Sequence, residues 1–216
     1  SDRKLLFYDD FKNFDNFEVK DNEFYNDHLI WFSKDSVKLT DEGVSIVCYR
    51  DEKTRTTWQG TRDCLWTTGM ITTYKKVKFS KGVWIINAKP SDCWPAIWLL
   101  KEDRNEPGYT RNQITPEIDI METMRHREIR HTVHYGYDNV VYRKYGIGSD
   151  VYKNDNKFHE FAVELLDNGY KFYVDGILTA RFKTKNKEFV TDYPNYLLLN
   201  NASHTNSKID TDFVVK

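Results

Sequence analysis

Apolar and polar residues alternate with a period of two along most of this chain, which is the pattern of strands with one buried face. Turn signals separate these segments at intervals of about ten residues, and Asp167-Asn168-Gly169 is the clearest of them. Strands are predicted at residues 37–40, 44–49, 67–74, 76–79, 82–89, 93–100, 117–122, 132–137, 158–165, 170–175, 177–182 and 196–200. The polar residues 50–64 are predicted as a loop that carries Trp58.

No long helical period, repeat or low-complexity tract accompanies these segments. Many short strands in 216 residues predict an all-β sandwich of two antiparallel sheets, which we expect to form one domain over residues 1–216. Residues 93–100 are apolar on both faces, so we expect them to form a central strand.

Composition narrows the classes of function. The 32 basic and 33 acidic residues give a formal net charge of -1, which does not favour a nucleic-acid-binding protein. No apolar run approaches the roughly 20 residues of a membrane span. Cys48, Cys64 and Cys93 are an odd number without a CxxC motif, so they are predicted to be buried free thiols, with a single bridge as the open alternative.

The segment Glu117-Ile118-Asp119-Ile120-Met121-Glu122 places three carboxylates close together. In a strand, Glu117 and Asp119 point to one face while Ile118 and Ile120 point to the other. Regular alternation would turn Glu122 away from Glu117. A β-bulge at Ile120-Met121 adds one residue and returns Glu122 to the carboxylate face.

Carboxylates on one face suggest glycoside hydrolysis, because that reaction needs one neutral carboxyl group and one ionised one. Asp119, in the middle, is best placed to hydrogen-bond a glutamate and to change its proton affinity. Two other interpretations stay open on spacing alone. One is an amphipathic strand with a solvated acidic face, and the other is a calcium site, although the Asp/Asn/Gly spacing of calcium loops is absent.

Several segments resemble glycoside hydrolase family 16, whose bulged signature is E-x-D-x-x-E. Residues 117–122 match that signature, and further similarity lies at residues 94–100, 132–136, 158–164 and 173–176. The resemblance implies a jelly-roll, concanavalin A-like β-sandwich with a concave cleft. It also implies Glu117 as nucleophile, Glu122 as acid/base, Asp119 as the assisting residue between them and His134 as a cleft histidine.

Five further positions are candidate substrate-binding residues. Trp94 and Trp98 alternate onto one face of their strand and could stack on sugar rings or pack in the core. Trp58 belongs to the predicted loop. Arg130 lies on the same strand face as His134, where its charge would suit an anionic galactan. In the alternative interpretation, an exposed turn contains Arg125, Arg127, Arg130 and His131, and Glu128 offsets their positive charge. Asn87 stands where relatives commonly have Arg, and Ile85 where they have Glu, which predicts altered substrate contacts.

The resemblance therefore implies a retaining, endo-acting hydrolase of β-linked glucan or galactan. A non-catalytic carbohydrate-binding domain of the same fold and a transglycosylase are the alternatives. We expect no required cofactor and a monomeric protein whose partner is a polysaccharide. The family implies a secreted, periplasmic or cell-surface location.

Overall fold

The computed structural model describes residues 3–25, 29–102, 114–123, 127–136, 153–183, 194–203 and 211–216. Its strands form two sheets, as the alternating segments predict. The first sheet has six strands in the order β1 (Glu18–Val19), β7 (Met70–Thr72), β15 (Asn195–Ala202), β9 (Trp94–Lys101), β10 (Ile114–Thr123) and β11 (Ile129–Gly136). Strand β9 is central, as expected from its two apolar faces.

The second sheet follows the order β14 (Ile177–Lys183), β13 (Gly169–Val174), β12 (His159–Leu166), β8 (Gly82–Lys89), β16 (Thr211–Val215), β5 (Gly43–Thr57), β6 (Gly60–Thr68), β3 (Ile30–Phe32) and β2 (Glu23–Phe24). Strand β4 (Val37–Thr40) pairs with β5, and a short 3-10 helix spans Lys34–Ser36. Within the described ranges, no helix is long and apolar enough to cross a membrane.

The main hydrophobic core lies between the two sheets. Alternate residues of β9, such as Ile97 and Leu99, are fully buried there against Phe161, Phe172 and Phe213 of the second sheet. The intervening residues of β9 point to the other face of the six-stranded sheet. That outer face is the surface on which the predicted catalytic side chains project.

A second cluster covers part of this outer face. Ile30, Phe32 and Trp66 pack with Trp98 and Leu198 of the six-stranded sheet. Cys48 and Cys93 belong to the same cluster, and all three cysteines are buried and not disulfide-bonded, which confirms that they are thiols. The six-stranded sheet thus has apolar packing on both sides, and only part of its outer face is left for a ligand.

The loop predicted at residues 50–64 is wrong, because β5 and β6 form one long hairpin through this region. Polar cross-strand pairs replace apolar alternation: Thr54 Oγ1 donates to Asp63 Oδ1 at 2.6 Å, and the hydroxyls of Thr56 and Thr61 lie 3.0 Å apart. Threonine is β-branched and favours extended backbone even where neither face is buried. Trp58 lies at the hairpin turn and is 80% exposed.

Candidate active site

The predicted bulge lies in β10. Asp119 pairs with Thr132 of β11 and Glu122 pairs with Arg130, so two residues of β10 oppose the single residue between those partners. On the other side, Asp119 pairs with Trp98 of β9 and Met121 pairs with Ile97, which leaves Ile120 as the extra residue. The register therefore confirms the bulge at Ile120-Met121.

This bulge sorts the side chains of β10 between the two faces. Ile118, Ile120 and Met121 are all fully buried in the core between the sheets. Glu117 pairs with His134 of β11, and Glu122 pairs with Arg130. Both partners are at alternate positions of β11 whose side chains point to the outer face. The extra residue is what allows two consecutive apolar side chains to enter the core while Glu122 returns to the side of Glu117.

Asp119 is the centre of the carboxylate cluster and is only 3% exposed. Its carboxyl group is hydrogen-bonded with both Glu117 and Glu122, and its Oδ2 lies 3.0 Å from Nε2 of His134. Burial, followed by the charges of Glu122 and Glu117, raises the pKa of Asp119 well above its ordinary value. This environment therefore favours the protonated form of Asp119, which can donate a hydrogen bond to a glutamate.

Glu122 is buried beside Trp94, whose Nε1 donates a hydrogen bond to Glu122 Oε2 at 2.9 Å. Burial is the largest influence and raises the pKa of Glu122, and the charge of Glu117 acts in the same direction. The Trp94 hydrogen bond and the charge of His134 act in the opposite direction. The net effect favours the protonated form of Glu122, which is the form that a general acid requires.

Replacing Trp94 with phenylalanine tests this balance. The substitution removes the Nε1 donor, which favours the ionised form of Glu122, so the pKa of Glu122 should rise further. We expect the alkaline limb of the pH–rate profile for polysaccharide cleavage to move to higher pH, with a loss in kcat of about tenfold or less for one hydrogen bond. An alkaline limb that stays in place or moves to lower pH would contradict this assignment.

Tyr25 is a neighbour of the cluster that the sequence did not indicate. Its ring meets that of Trp94 edge-on, with centroids 6.4 Å apart. Burial, and after it the charges of Glu117, Asp119 and Glu122, raise the pKa of the Tyr25 phenol, so this hydroxyl keeps its proton. Tyr25 is far from the carboxylates in sequence, so no local pattern indicates that it is their neighbour.

The other predicted substrate-binding residues differ in how near they lie to the carboxylate cluster. Trp98 is nearly buried and donates from Nε1 to Asn200 Oδ1 at 2.7 Å, so it packs in the second cluster. Arg130 is half-buried and directly opposite Glu122. The basic cluster is otherwise dispersed: Arg127 contacts Asp92 and Asn154, His131 is fully buried, and Arg125 lies outside the described residues.

The Asn87 prediction is wrong in its location. Strand β8 belongs to the second sheet, where Trp84, Ile86 and Ala88 face the core. Asn87 and Ile85 alternate with these residues and point outward, and Ile85 is 59% exposed. Both positions are thus on the far side of the sandwich, and their departure from the family pattern does not alter the carboxylate face.

The ligand atoms of Glu117, Asp119 and His134 lie within 4.8 Å of one another, as those of a metal site do. Calcium prefers six to eight oxygen ligands, whereas this set offers two carboxylates and an imidazole. The hydrogen bonds of Asp119 to Glu117 and Glu122 also account for the close approach of these carboxyl groups. The donor set therefore does not fit calcium.

Solved structures with the same fold include several glucanases. The endo-β-1,3-glucanase from Pyrococcus furiosus has a TM-score of 0.73 at 24% identity, over 98% of this chain and 91% of its own. The laminarinase from Flavobacterium sp. UMI-01 has a TM-score of 0.70 at 20% identity, over 98% and 97% of the two chains. A LamA variant from Z. galactanivorans, in complex with laminaritriose and laminaritetraose, has a TM-score of 0.74 at 20% identity, over 98% and 96%.

Sequence comparison supplies the family itself. No curated protein sequence is significantly similar to the chain. The family model for glycosyl hydrolases family 16, in contrast, matches residues 22–208, a range that contains the bulged strand and every strand of the two sheets except β1 and β16. With a two-sheet fold shared by the glucanases above, this match shows that the chain belongs to glycosyl hydrolases family 16.

Proposed function

We propose that this protein is a retaining, endo-acting hydrolase of β-1,3-linked glucan. One observation carries the proposal: the bulge at Ile120 returns Glu122 to the face of Glu117, with Asp119 hydrogen-bonded to both. Retaining enzymes hold their two carboxyl groups about 5–5.5 Å apart, which is closer than inverting enzymes do. Two glutamates that share one hydrogen-bonding partner are compatible with that short spacing.

In the first step, Glu117 attacks the anomeric carbon while Glu122 gives its proton to the departing glycosidic oxygen. The carbon–oxygen bond to the leaving sugar breaks, and an ester bond to Glu117 forms. Neutral Asp119 stabilises the ionised nucleophile by donating a hydrogen bond to it. The buried position of Glu122 keeps its proton available until the leaving oxygen needs it.

The second step needs Glu122 as a base, and the electrostatics of the cluster supply that change. Esterification removes the negative charge of Glu117, one of the influences that raise the pKa of Glu122. The pKa of Glu122 therefore falls once the glycosyl-enzyme has formed. Ionised Glu122 then takes a proton from water, whose oxygen attacks the anomeric carbon and releases Glu117.

A neutral glucan is favoured over a sulfated galactan for two reasons. The structural relatives named above are described as β-1,3-glucanases or laminarinases, and one is bound to laminari-oligosaccharides. Near the carboxylates, the aromatic surface comes from Trp94 and Tyr25, which suits the apolar face of a sugar ring. Because large polysaccharides do not enter cells, we place the activity outside the cytoplasm.

A polysaccharide panel tests this function. The purified protein is incubated with laminarin, mixed-linkage glucan, agar, porphyran and carrageenan, and the products are sized. We expect reducing sugar from laminarin as a ladder of internal cleavage products, with mixed-linkage glucan as a weaker substrate. Cleavage of the sulfated galactans instead would assign Arg130 to an anionic substrate, and transfer products longer than the substrate would indicate a transglycosylase.

The control for the panel is Glu117→Gln, purified in the same way. We expect this variant to release almost no reducing sugar, and release equal to that of the wild type would contradict the role of Glu117 as nucleophile. If the wild-type protein binds laminarin in affinity electrophoresis but releases no sugar from any polysaccharide, the protein is a carbohydrate-binding domain and the proposed function is wrong.

A further inference from the structure

His131 lies directly opposite the bulge, on the core side of β11. The register places both Ile120 and Met121 of β10 against this one residue. Its side chain is 0% exposed, and it alternates with Arg130 and Thr132, which pair with the outward-facing Glu122 and Asp119. A fully buried imidazole among apolar side chains is costly unless its nitrogen atoms have specific partners.

One partner of the ring is the backbone of the bulge itself. His131 Nδ1 lies 2.6 Å from the carbonyl oxygen of Ile120, the extra residue of β10. A bulge interrupts the ladder at its extra residue, and a buried carbonyl without a donor is destabilising. The ring N–H of His131 supplies a donor at the place where the regular ladder fails.

The other partners belong to the second sheet. His131 Nε2 lies 2.7 Å from the Thr179 hydroxyl on β14, and the ring stacks on Phe172 of β13 with centroids 4.8 Å apart. Burial lowers the pKa of His131 to about 4, so the ring is neutral at neutral pH. A neutral ring with its proton on Nδ1 donates to Ile120, and its Nε2 can accept the proton of the Thr179 hydroxyl, for which the Phe172 carbonyl oxygen at 3.2 Å is the competing acceptor.

We propose that His131 is a positioning residue that ties the bulge of β10 to the opposite sheet and thereby fixes the orientation of Glu122. The inference rests on the proposed function for the role of Glu122. Glu122 follows the bulge by one residue, and loss of the extra residue would turn its side chain to the opposite face. Glu117 and Asp119 precede the bulge and keep their pairing with β11 in either case.

The substitution His131→Phe separates these roles. Phenylalanine keeps the ring and its stacking on Phe172 but has neither nitrogen. Because misplacement by about 1 Å can cost about 100-fold, we expect kcat on laminarin to fall by about that factor with KM nearly unchanged. A laminari-oligosaccharide with a dinitrophenyl leaving group needs no acid for glycosylation, so its kcat/KM should stay close to the wild-type value.

Two amide substitutions are matched controls. In His131→Asn the amide nitrogen lies near the position of Nδ1, so it can donate to Ile120 and should restore much of the laminarin activity. In His131→Gln the amide lies nearer the position of Nε2 and should not. This pair also gives the comparison if His131→Phe does not fold. Parallel loss of activity on both substrates, or equal activity of the Asn and Gln variants, would overturn the proposal.

Failure of the proposed function gives a different result. If the wild-type protein cleaves neither substrate, the hydrolase assignment is wrong, and the position of Glu122 is followed directly by NMR titration of carbon-13-labelled glutamate side chains. A changed Glu122 titration in His131→Phe would support the positioning role. Identical Glu122 curves in both proteins would overturn it. A wild-type hydrolase whose His131→Phe variant keeps full laminarin activity would leave the hydrolase assignment intact and overturn only this inference.

Discussion

Replacing Glu117 with glutamine is expected to lower kcat for laminarin by at least about 10,000-fold, because the amide can neither attack the anomeric carbon nor form the ester. The side chain keeps its size and can still hydrogen-bond Asp119, so the fold should be preserved. The dinitrophenyl oligosaccharide should be lost to the same extent, since a good leaving group does not replace a nucleophile. Release of reducing sugar and of dinitrophenol measures the two rates.

Glu122→Gln provides the contrast that assigns the two roles. This variant should also fail on laminarin, but it should still form the glycosyl-enzyme from the dinitrophenyl substrate and then stall for want of a base. Added azide needs no base and should restore turnover as a β-glycosyl azide, which is the retained configuration. Formation of the β-glycosyl azide by Glu117→Gln rather than by Glu122→Gln would exchange the roles, and full activity in both variants would reject the mechanism.

The bulge could be predicted because two requirements meet in six residues. The apolar side chains of Ile118, Ile120 and Met121 must be buried, while Glu117 and Glu122 must share a face, and only an extra residue allows both. Strand β8 was likewise predicted over residues 82–89 because its buried face alternates without interruption. Local patterns of this kind are set by the strand period, which is a property of the chain itself.

The failures have a common physical origin in partners that are distant in sequence. The alternation of β8 predicts that Asn87 points away from the core, but it does not tell which of the two sheets contains β8. Because β8 belongs to the second sheet, Asn87 points away from the carboxylate face. Thr56 of β5 and Thr61 of β6 stabilise the hairpin through a hydrogen bond between their hydroxyls, although neither residue is buried. Tyr25 and His131 gained their roles only when folding brought the carboxylates and the bulge to them.

Asp119 connects the electrostatics of the site to the stability of the fold. Burial and the neighbouring glutamate charges raise its pKa above the value it has in the unfolded chain. The folded protein therefore binds more protons than the unfolded chain at pH values between the two pKa values, and its stability decreases as the pH rises through that range. Each pKa unit corresponds to about 1.4 kcal/mol, so this carboxyl group destabilises the fold at neutral and alkaline pH.

Replacing Asp119 with asparagine should therefore raise stability and lower activity together. An amide of the same shape can still donate to a glutamate, but it does not ionise, so the penalty at high pH is removed. We expect a higher thermal midpoint at pH 8 than in the wild type, by about 2–4 °C for each kcal/mol in a domain of this size. The gain should shrink towards pH 5, because the penalty in the wild type accumulates only as the pH rises from the unfolded pKa towards the folded one.

The same substitution should lower kcat on laminarin by about 100-fold or more, because an amide cannot release a proton as charge moves between Glu117 and Glu122. Thermal unfolding at pH 5 and pH 8, with kinetics on the same samples, measures both effects. A variant that is less stable at pH 8 than the wild type would mean that the lost hydrogen bonds outweigh the removed charge. A stability gain that does not depend on pH would exclude the raised pKa as its cause, since the variant differs from the wild type in lacking the ionisation at this position.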